Sequence, residues 1–147
     1  MANEEKGFQK GNINWYPGHM AKTKREIKEQ LKYIDLIYEV IDARIPYSSK
    51  IRDIDPIIKD KPRILNMTKK DLCDEKETNK WAVHYKKLGY TVFLQDTIHL
   101  NKKDLEKATE EIMKPWNQKR EKQGLKPRKI RILVIGIPNV GKSTLIN

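Results

Sequence analysis

Near the end of the chain, Gly136-Ile137-Pro138-Asn139-Val140-Gly141-Lys142-Ser143 sets two glycines, a lysine and a hydroxyl at the offsets G-x-x-x-x-G-K-[ST]. Glycine at those places lets the backbone curl until successive N–H groups point inward at a β-phosphate. Lys142 then neutralises the β- and γ-phosphates, which makes it a catalytic as well as a binding candidate, and Ser143 is placed to hold Mg2+. The nucleotide-binding candidates here are Pro138, Asn139, Val140, Gly141, Lys142, Ser143 and Thr144. A glycine turn that only joins strand to helix is the plainer alternative. Position favours the phosphate loop, because it follows the apolar run Arg131 to Ile135 (RILVI) and precedes a helix starting near Lys142, whose dipole adds to the field.

A phosphate loop does not select a base. Guanine differs from adenine in offering an N1–H and an exocyclic amine side by side, which one acceptor-only carboxylate satisfies. The pattern that does this is N/T-K-x-D after a strand, and Thr68-Lys69-Lys70-Asp71 follows the apolar run RILNM. Asp71 would accept both guanine hydrogen bonds, Lys69 would lay its methylenes over the ring, and Thr68 would tie this loop to the phosphate loop. The same four residues also read as a turn opening a helix, since a lysine-rich chain produces K-x-D readily. Both loops belong at the carboxyl edge of parallel strands, where α/β sheets take their ligands. The base loop precedes the phosphate loop in this chain, an order that strand adjacency permits.

The elements that must carry these loops are legible as apolar patterns. Apolar residues at 20, 27, 31 and 34 give a helix from Met20, and Leu36, Ile37, Tyr38, Val40 and Ile41 then form a buried strand. Ser48 or Ser49 caps a helix whose face is Ile51, Ile54, Ile57 and Ile58, strained or shortened by Pro56. Arg63 to Met67 is the second strand. Asp74 with Glu77 resembles a capping box for a helix with Trp81, Tyr85 and Leu88 on one face, ended by Gly89. Thr91 to Leu94 (TVFL) is the third strand, and Asn101 with Asp104 caps a helix carrying Leu105, Ala108 and Ile112 that stops before Pro115. A basic linker leads to RILVI, the fourth strand. Single helices between strands imply crossovers and a parallel sheet, so the fold class is α/β. Residues 1–14 lack periodicity and read as a flexible lead, with structure from near Trp15 and one domain over 15–147.

The chain has 147 residues, 37% of them apolar, enough for one core and too patterned for disorder. Cys73 stands alone, so no internal disulfide forms, and with His84 and His99 it has no metal-ligand spacing. The opening MANEEKGFQK carries no secretion signature and no apolar run spans a bilayer, so a soluble, cytoplasmic protein without a membrane partner is expected. The net charge of +11 is concentrated: Lys114 to Arg131 holds eight basic residues and one acidic one, and Met20 to Tyr33 five basic and two acidic. Such runs are either solvated faces or phosphate-backbone contacts, with Trp116 stacking on a base or anchoring its segment to the core.

Taken in order, WYPGHM (15–20), DARIP (42–46), TKKD (68–71) and GIPNVGKST (136–144) resemble the circularly permuted ribosome-assembly GTPases. The resemblance runs from Trp15 to Asn147. It implies a Ras-like P-loop sheet in which the four strands lie in the spatial order fourth, first, second, third. It also implies GTP and GDP as ligands, magnesium and potassium as ions, and a maturing large ribosomal subunit with its rRNA as partner; a monomer is expected. His19 matches the histidine that positions attacking water in that family, and Asn139 the phosphate-loop asparagine associated with potassium. Asp42 and Arg44 of DARIP receive no chemistry.

Three departures accompany the resemblance. Thr68 replaces the commoner asparagine. The loop that should touch guanine O6 reads Gln95-Asp96-Thr97 in place of the Ser-Ala form, which leaves Asp96 and Thr97 as its binding candidates. Asn147 comes four residues after Ser143, before any switch threonine or D-x-x-G segment, so the sheet is expected to be incomplete at its C-terminus, the chain being either part of a longer protein or a truncated form with poor hydrolysis. The competing classes are a basic RNA-binding module that does not turn over nucleotide, and an ATP-using phosphotransferase, which leaves TKKD unexplained.

Overall fold

The computed structural model describes residues 8–14, 20–58, 60–96, 102–126 and 128–136. Its strands are β1 (Phe8–Asn14), β2 (Leu36–Asp42), β3 (Arg63–Thr68), β4 (Thr91–Leu94) and β5 (Ile130–Gly136). Its helices are α1 (Met20–Leu31), α2 (Pro46–Ser49), α3 (Asp55–Ile58), α4 (Glu75–Lys87), α5 (Lys102–Ile112) and α6 (Lys114–Lys122). The strands form one sheet in the order β1-β5-β2-β3-β4, every pairing parallel. The four strands expected from sequence keep the order fourth, first, second, third. The addition is β1, which pairs along its whole length with β5 and covers the second half of the segment expected to be a flexible lead. Its sequence FQKGNIN carries little apolar signal, and among its residues Ile13 is buried in the core.

All seven residues of β2 are buried, as a strand covered on both faces requires. Leu36, Tyr38 and Val40 pack with Ile132, Val134, Leu105 and Met113 on one face of the sheet. On the other, Ile37 joins Leu133, Ile135, Ile27 and Ile54, and Ile41 joins Leu65, Met67, Ala82 and Tyr85. Tyr38 meets the Thr109 hydroxyl of α5 at 2.6 Å, and burial pushes its phenol up to about 12, so it stays protonated.

Between the two clusters of the second face lies a charged group. Glu39 is buried at the centre of β2 and pairs with Lys50 Nζ at 3.0 Å and Arg63 Nη1 at 3.6 Å. Asp55 takes the same two cations at 3.0 and 2.9 Å, and the Tyr90 ring lies under both. Neither Glu39 oxygen has a partner in full hydrogen-bond geometry. Burial therefore wins over Lys50 and Arg63 and holds the Glu39 carboxyl above the ordinary value.

Several local expectations need correction. The helix expected from Ser48 or Ser49 is broken into α2, a 3-10 turn (Arg52–Ile54) and α3. Pro56 lacks an N–H and sits in the first turn of α3, so one continuous helix through it is excluded. Its apolar face survives the break, with Ile51, Ile54 and Ile58 buried. Ser49 closes α2 and caps no helix start: its hydroxyl donates to Ile45 O at 2.7 Å and accepts from Asp42 N at 2.9 Å. Asp74 does cap α4, accepting from Lys76 N and Glu77 N, but Leu88 is 62% exposed. There the helix unwinds into a Schellman turn, with Gly89 at φ 96°, Gly89 N donating to Lys86 O and Tyr90 N to Tyr85 O. The basic linker contains α6, begun by Pro115 in its first turn and closed by a second such turn at Gly124, φ 71°. Trp116 packs on the core under Arg120 and Arg128, so it anchors the segment.

Replacing Lys50 by Met strands Glu39 without its nearest cation and should cost about 3 to 5 kcal/mol of stability at neutral pH. Because the Glu39 carboxyl is raised in the folded state, the fold binds its proton more readily than the unfolded chain, and stability falls as pH rises through that value. Urea unfolding should therefore show a smaller loss for Lys50→Met at pH 5 than at pH 8; an equal loss at both would remove Glu39 as the cause.

Candidate functional site

Parallel pairing brings the strand ends to one rim. Asp42, the last residue of β2, is level with Thr68, the last of β3, and Met67 is level with Leu94, the last of β4. On the other side of β2, Glu39 pairs with Ile135, so β5 delivers Gly136, the first residue of G-x-x-x-x-G-K-S, to the same rim one position further on. The two motifs, far apart in sequence and reversed in order, therefore leave the sheet on the same edge.

The T-K-x-D loop is built tightly. Thr68 is buried, its hydroxyl donating to Ile41 O at 3.1 Å and its carbonyl accepting from Ala43 N at 2.8 Å. Lys69 adopts a left-handed conformation, φ 61° and ψ 33°, which a side-chain-bearing residue takes at a cost of roughly 1 to 2 kcal/mol. The turn is held by its flanks: Lys70 N donates to Gln95 O at 2.8 Å, and Leu72 N to Lys69 O at 3.0 Å. Asp71 stands exposed on the short 3-10 turn that follows (Lys70–Leu72), and Cys73 closes that turn onto Lys70 O and the Thr78 hydroxyl. Gln95 is buried, with its side-chain N–H donating to Asn66 Oδ1 at 2.9 Å, and Asp96, half-buried, comes next. The loops after β3 and β4 are thus bonded to each other.

Asp42 and Arg44, to which no chemistry was assigned, are the residues that sequence reasoning missed. Arg44 wraps the Asp42 carboxylate with Nη2 at 2.8 Å, Nε at 3.1 Å and its own backbone N at 2.9 Å. Lys69 Nζ reaches the same carboxylate at 3.4 Å. Burial alone would raise the Asp42 carboxyl; the hydrogen bonds from Arg44 and the charges of Lys69 and Arg44 outweigh it and hold it below the usual range. The signal available was an acid ending a strand that neighbours the one feeding Lys69.

Of the candidates, Thr68, Lys69, Asp71 and Asp96 are brought together. His19, Thr97, Pro138, Asn139, Val140, Gly141, Lys142, Ser143 and Thr144 lie outside the described residues, as does His99. His84 is exposed on α4, edge-on to Trp81. Among the described residues no cluster of histidine, cysteine or carboxylates could hold a metal, and no helix is long and apolar enough to cross a membrane.

A parallel sheet with T-K-x-D at the end of one strand and G-x-x-x-x-G-K-S leaving a strand two places away is that of a circularly permuted P-loop GTPase. The chain is 46% identical over 138 residues to ribosome biogenesis GTPase A of Bacillus licheniformis, covering 92% of this chain and 48% of that protein. The protein of the same name from Priestia megaterium is 44% identical over 137 residues, with the same coverage. The crystal structure of GNP-bound YlqF from T. maritima superposes with a TM-score of 0.60 at 32% identity, over 86% of this chain and 46% of that one. No protein-family model matches the chain. The chain spans about half the length of the relatives it matches, and over that half it is homologous to ribosome biogenesis GTPase A and similar in fold to YlqF.

The left-handed backbone at Lys69 makes a checkable reversal of the usual rule. Lys69→Gly should be about 1 kcal/mol more stable than Lys69→Ala, because only the alanine keeps the αL strain. Thermal unfolding of the two variants, which lack the lysine head alike, checks it; alanine equal to or above glycine would mean that the loop is not held at positive φ.

Proposed function

We propose that the chain binds GTP and GDP and that the protein hydrolyses GTP while assisting assembly of the large ribosomal subunit. The observation that carries this reading is the meeting of the base loop and the strand feeding the phosphate loop on one rim, with relatives named ribosome biogenesis GTPase A and neighbours solved with GNP and GDP in support. Asp71 accepts from the guanine N1–H and amine, Lys69 covers the ring, and Thr68 braces the loop; Asp96 and Thr97 flank the base. The backbone from Pro138 to Thr144 cradles the phosphates, with Lys142 neutralising the β- and γ-oxygens. Ser143 would hold magnesium and Asn139 potassium, ions that supply positive charge beside the phosphates. His19 orients a water whose oxygen forms the new bond to the γ-phosphorus as the bond to the β,γ-bridging oxygen breaks, releasing GDP and phosphate. Positioning and charge supply the rate.

The basic α6 supports an rRNA partner, since its lysines are exposed while Trp116 packs on the Tyr38 side of the sheet under Arg128, which is bonded to Asp35 ahead of β2. We place the protein in the cytoplasm as a monomer.

Fluorescent nucleotide titration separates the classes. GDP should bind at least about 100-fold more tightly than ADP, because adenine offers no N1–H to Asp71. Asp71→Ala should abolish the preference, and Lys142→Ala should weaken both nucleotides. Equal affinities for GDP and ADP in the unaltered chain would exclude Asp71 as the base reader, and RNA affinity unaffected by Lys142→Ala, without GDP binding, would favour a plain RNA-binding module.

A further inference from the structure

The rim holds more order than a turn requires. Asp42 already has three donors from Arg44, at 2.8, 2.9 and 3.1 Å, enough to satisfy a carboxylate and close the turn after β2. A second cation, Lys69 Nζ, is nonetheless drawn to Oδ2 from the neighbouring strand end. The two strand ends are fastened at main-chain level as well, through Ala43 N on Thr68 O and the Thr68 hydroxyl on Ile41 O. Asp42 is itself pinned from below, its N–H donating to the Ser49 hydroxyl. The carboxylate is thus a fixed point, buried and triply bonded, beside a residue whose backbone is strained and whose side chain is long and flexible.

We propose that Asp42 is a positioning residue for base recognition: it steers the Lys69 side chain, so that the T-K-x-D loop is set before a nucleotide arrives. The proposal rests on reading Thr68 to Asp71 as the base loop. Arg44 balances the Asp42 charge, so the Lys69 charge is not cancelled by its contact with Asp42. The rotamer freedom of a lysine is then given up at folding and not at binding, which is how a preorganised loop gains affinity. Asp42 touches no ligand in this arrangement and acts only through Lys69.

A double-mutant cycle on GDP affinity tests it, using fluorescent GDP and the full chain. Asp42→Asn keeps the shape and an acceptor for Arg44 but removes the charge. It should weaken GDP about 10-fold, and in a Lys69→Met background, which keeps the methylenes, the same change should cost less than about twofold. Asp42→Glu, which keeps the charge, should bind GDP within about threefold of the unaltered chain. A full 10-fold loss in both backgrounds would make Asp42 a purely structural residue and overturn the proposal, as would an unchanged affinity for Asp42→Asn alone. If Asp42→Asn does not fold, Asp42→Glu decides, and a loss of 10-fold or more there overturns it. Failure of the base-loop reading looks different, since the unaltered chain would then hold GDP no better than ADP.

Discussion

The structure depends on the register of β2 between its two parallel neighbours. Successive side chains of a strand face opposite sides, so a slip of one residue would exchange every partner of β2. Tyr38 would leave Thr109 and enter the face that holds Lys50 and Arg63. Glu39 would turn into the apolar packing of Leu105, Met113 and Val134, away from Lys50 and Arg63. A wholly apolar β2 would tolerate such a slip far better, because isoleucine and leucine suit either face. Glu39 and Tyr38 thus give direction to a strand that hydrophobicity alone leaves ambiguous, and the rim inherits its geometry from them.

The same buried charge divides the face it occupies. Ile37 and its partners lie toward β5, Ile41 and its partners toward the T-K-x-D loop, and Glu39 with Lys50, Asp55 and Arg63 stands between them. A buried ion pair adds little net stability, since desolvation consumes most of the Coulomb gain. Its effect here is on specificity: Lys50 follows α2 and Asp55 begins α3, so the network ties the broken helical segment to one position over the sheet. The break at Pro56 therefore costs the fold little order, because charge recognition replaces helical continuity in placing Ile54 and Ile58.

What could be read from sequence follows from which signals are local. The runs LIYEVI, RILNM, TVFL and RILVI are strands by composition, and the helix caps at Asp74 and Gly89 are chemical statements about neighbouring residues. T-K-x-D and G-x-x-x-x-G-K-S are legible for the same reason, while their strand order came only with the family resemblance. β1 escaped because a strand of FQKGNIN earns its place by pairing with β5, a partner more than a hundred residues away. α6 escaped because Trp116 is its single anchoring apolar residue, so it has no periodicity to see. The Asp42–Lys69 contact is through-space by nature: neither residue predicts the other until β2 and β3 are placed side by side.

The reversed order of the two motifs puts a particular demand on folding. β2, β3 and β4 are consecutive in sequence, and β5 must then return past them to pair with β2. The entropy of closing so long a loop grows only slowly with its length, so the return is affordable, but nothing local guides where β5 stops. Asp35, just ahead of β2, supplies the guide. Its carboxylate takes both terminal nitrogens of Arg128, at 2.7 and 2.9 Å, and the Arg131 N–H at 2.9 Å, while its own N–H donates to Arg131 O. Four bonds at the amino edge thereby set how far β5 extends along β2, and because the strands are parallel that offset is transmitted unchanged to the carboxyl edge. The level at which Gly136 reaches the carboxyl edge, with β2 between it and the T-K-x-D loop, is decided at the opposite end of the sheet by Asp35.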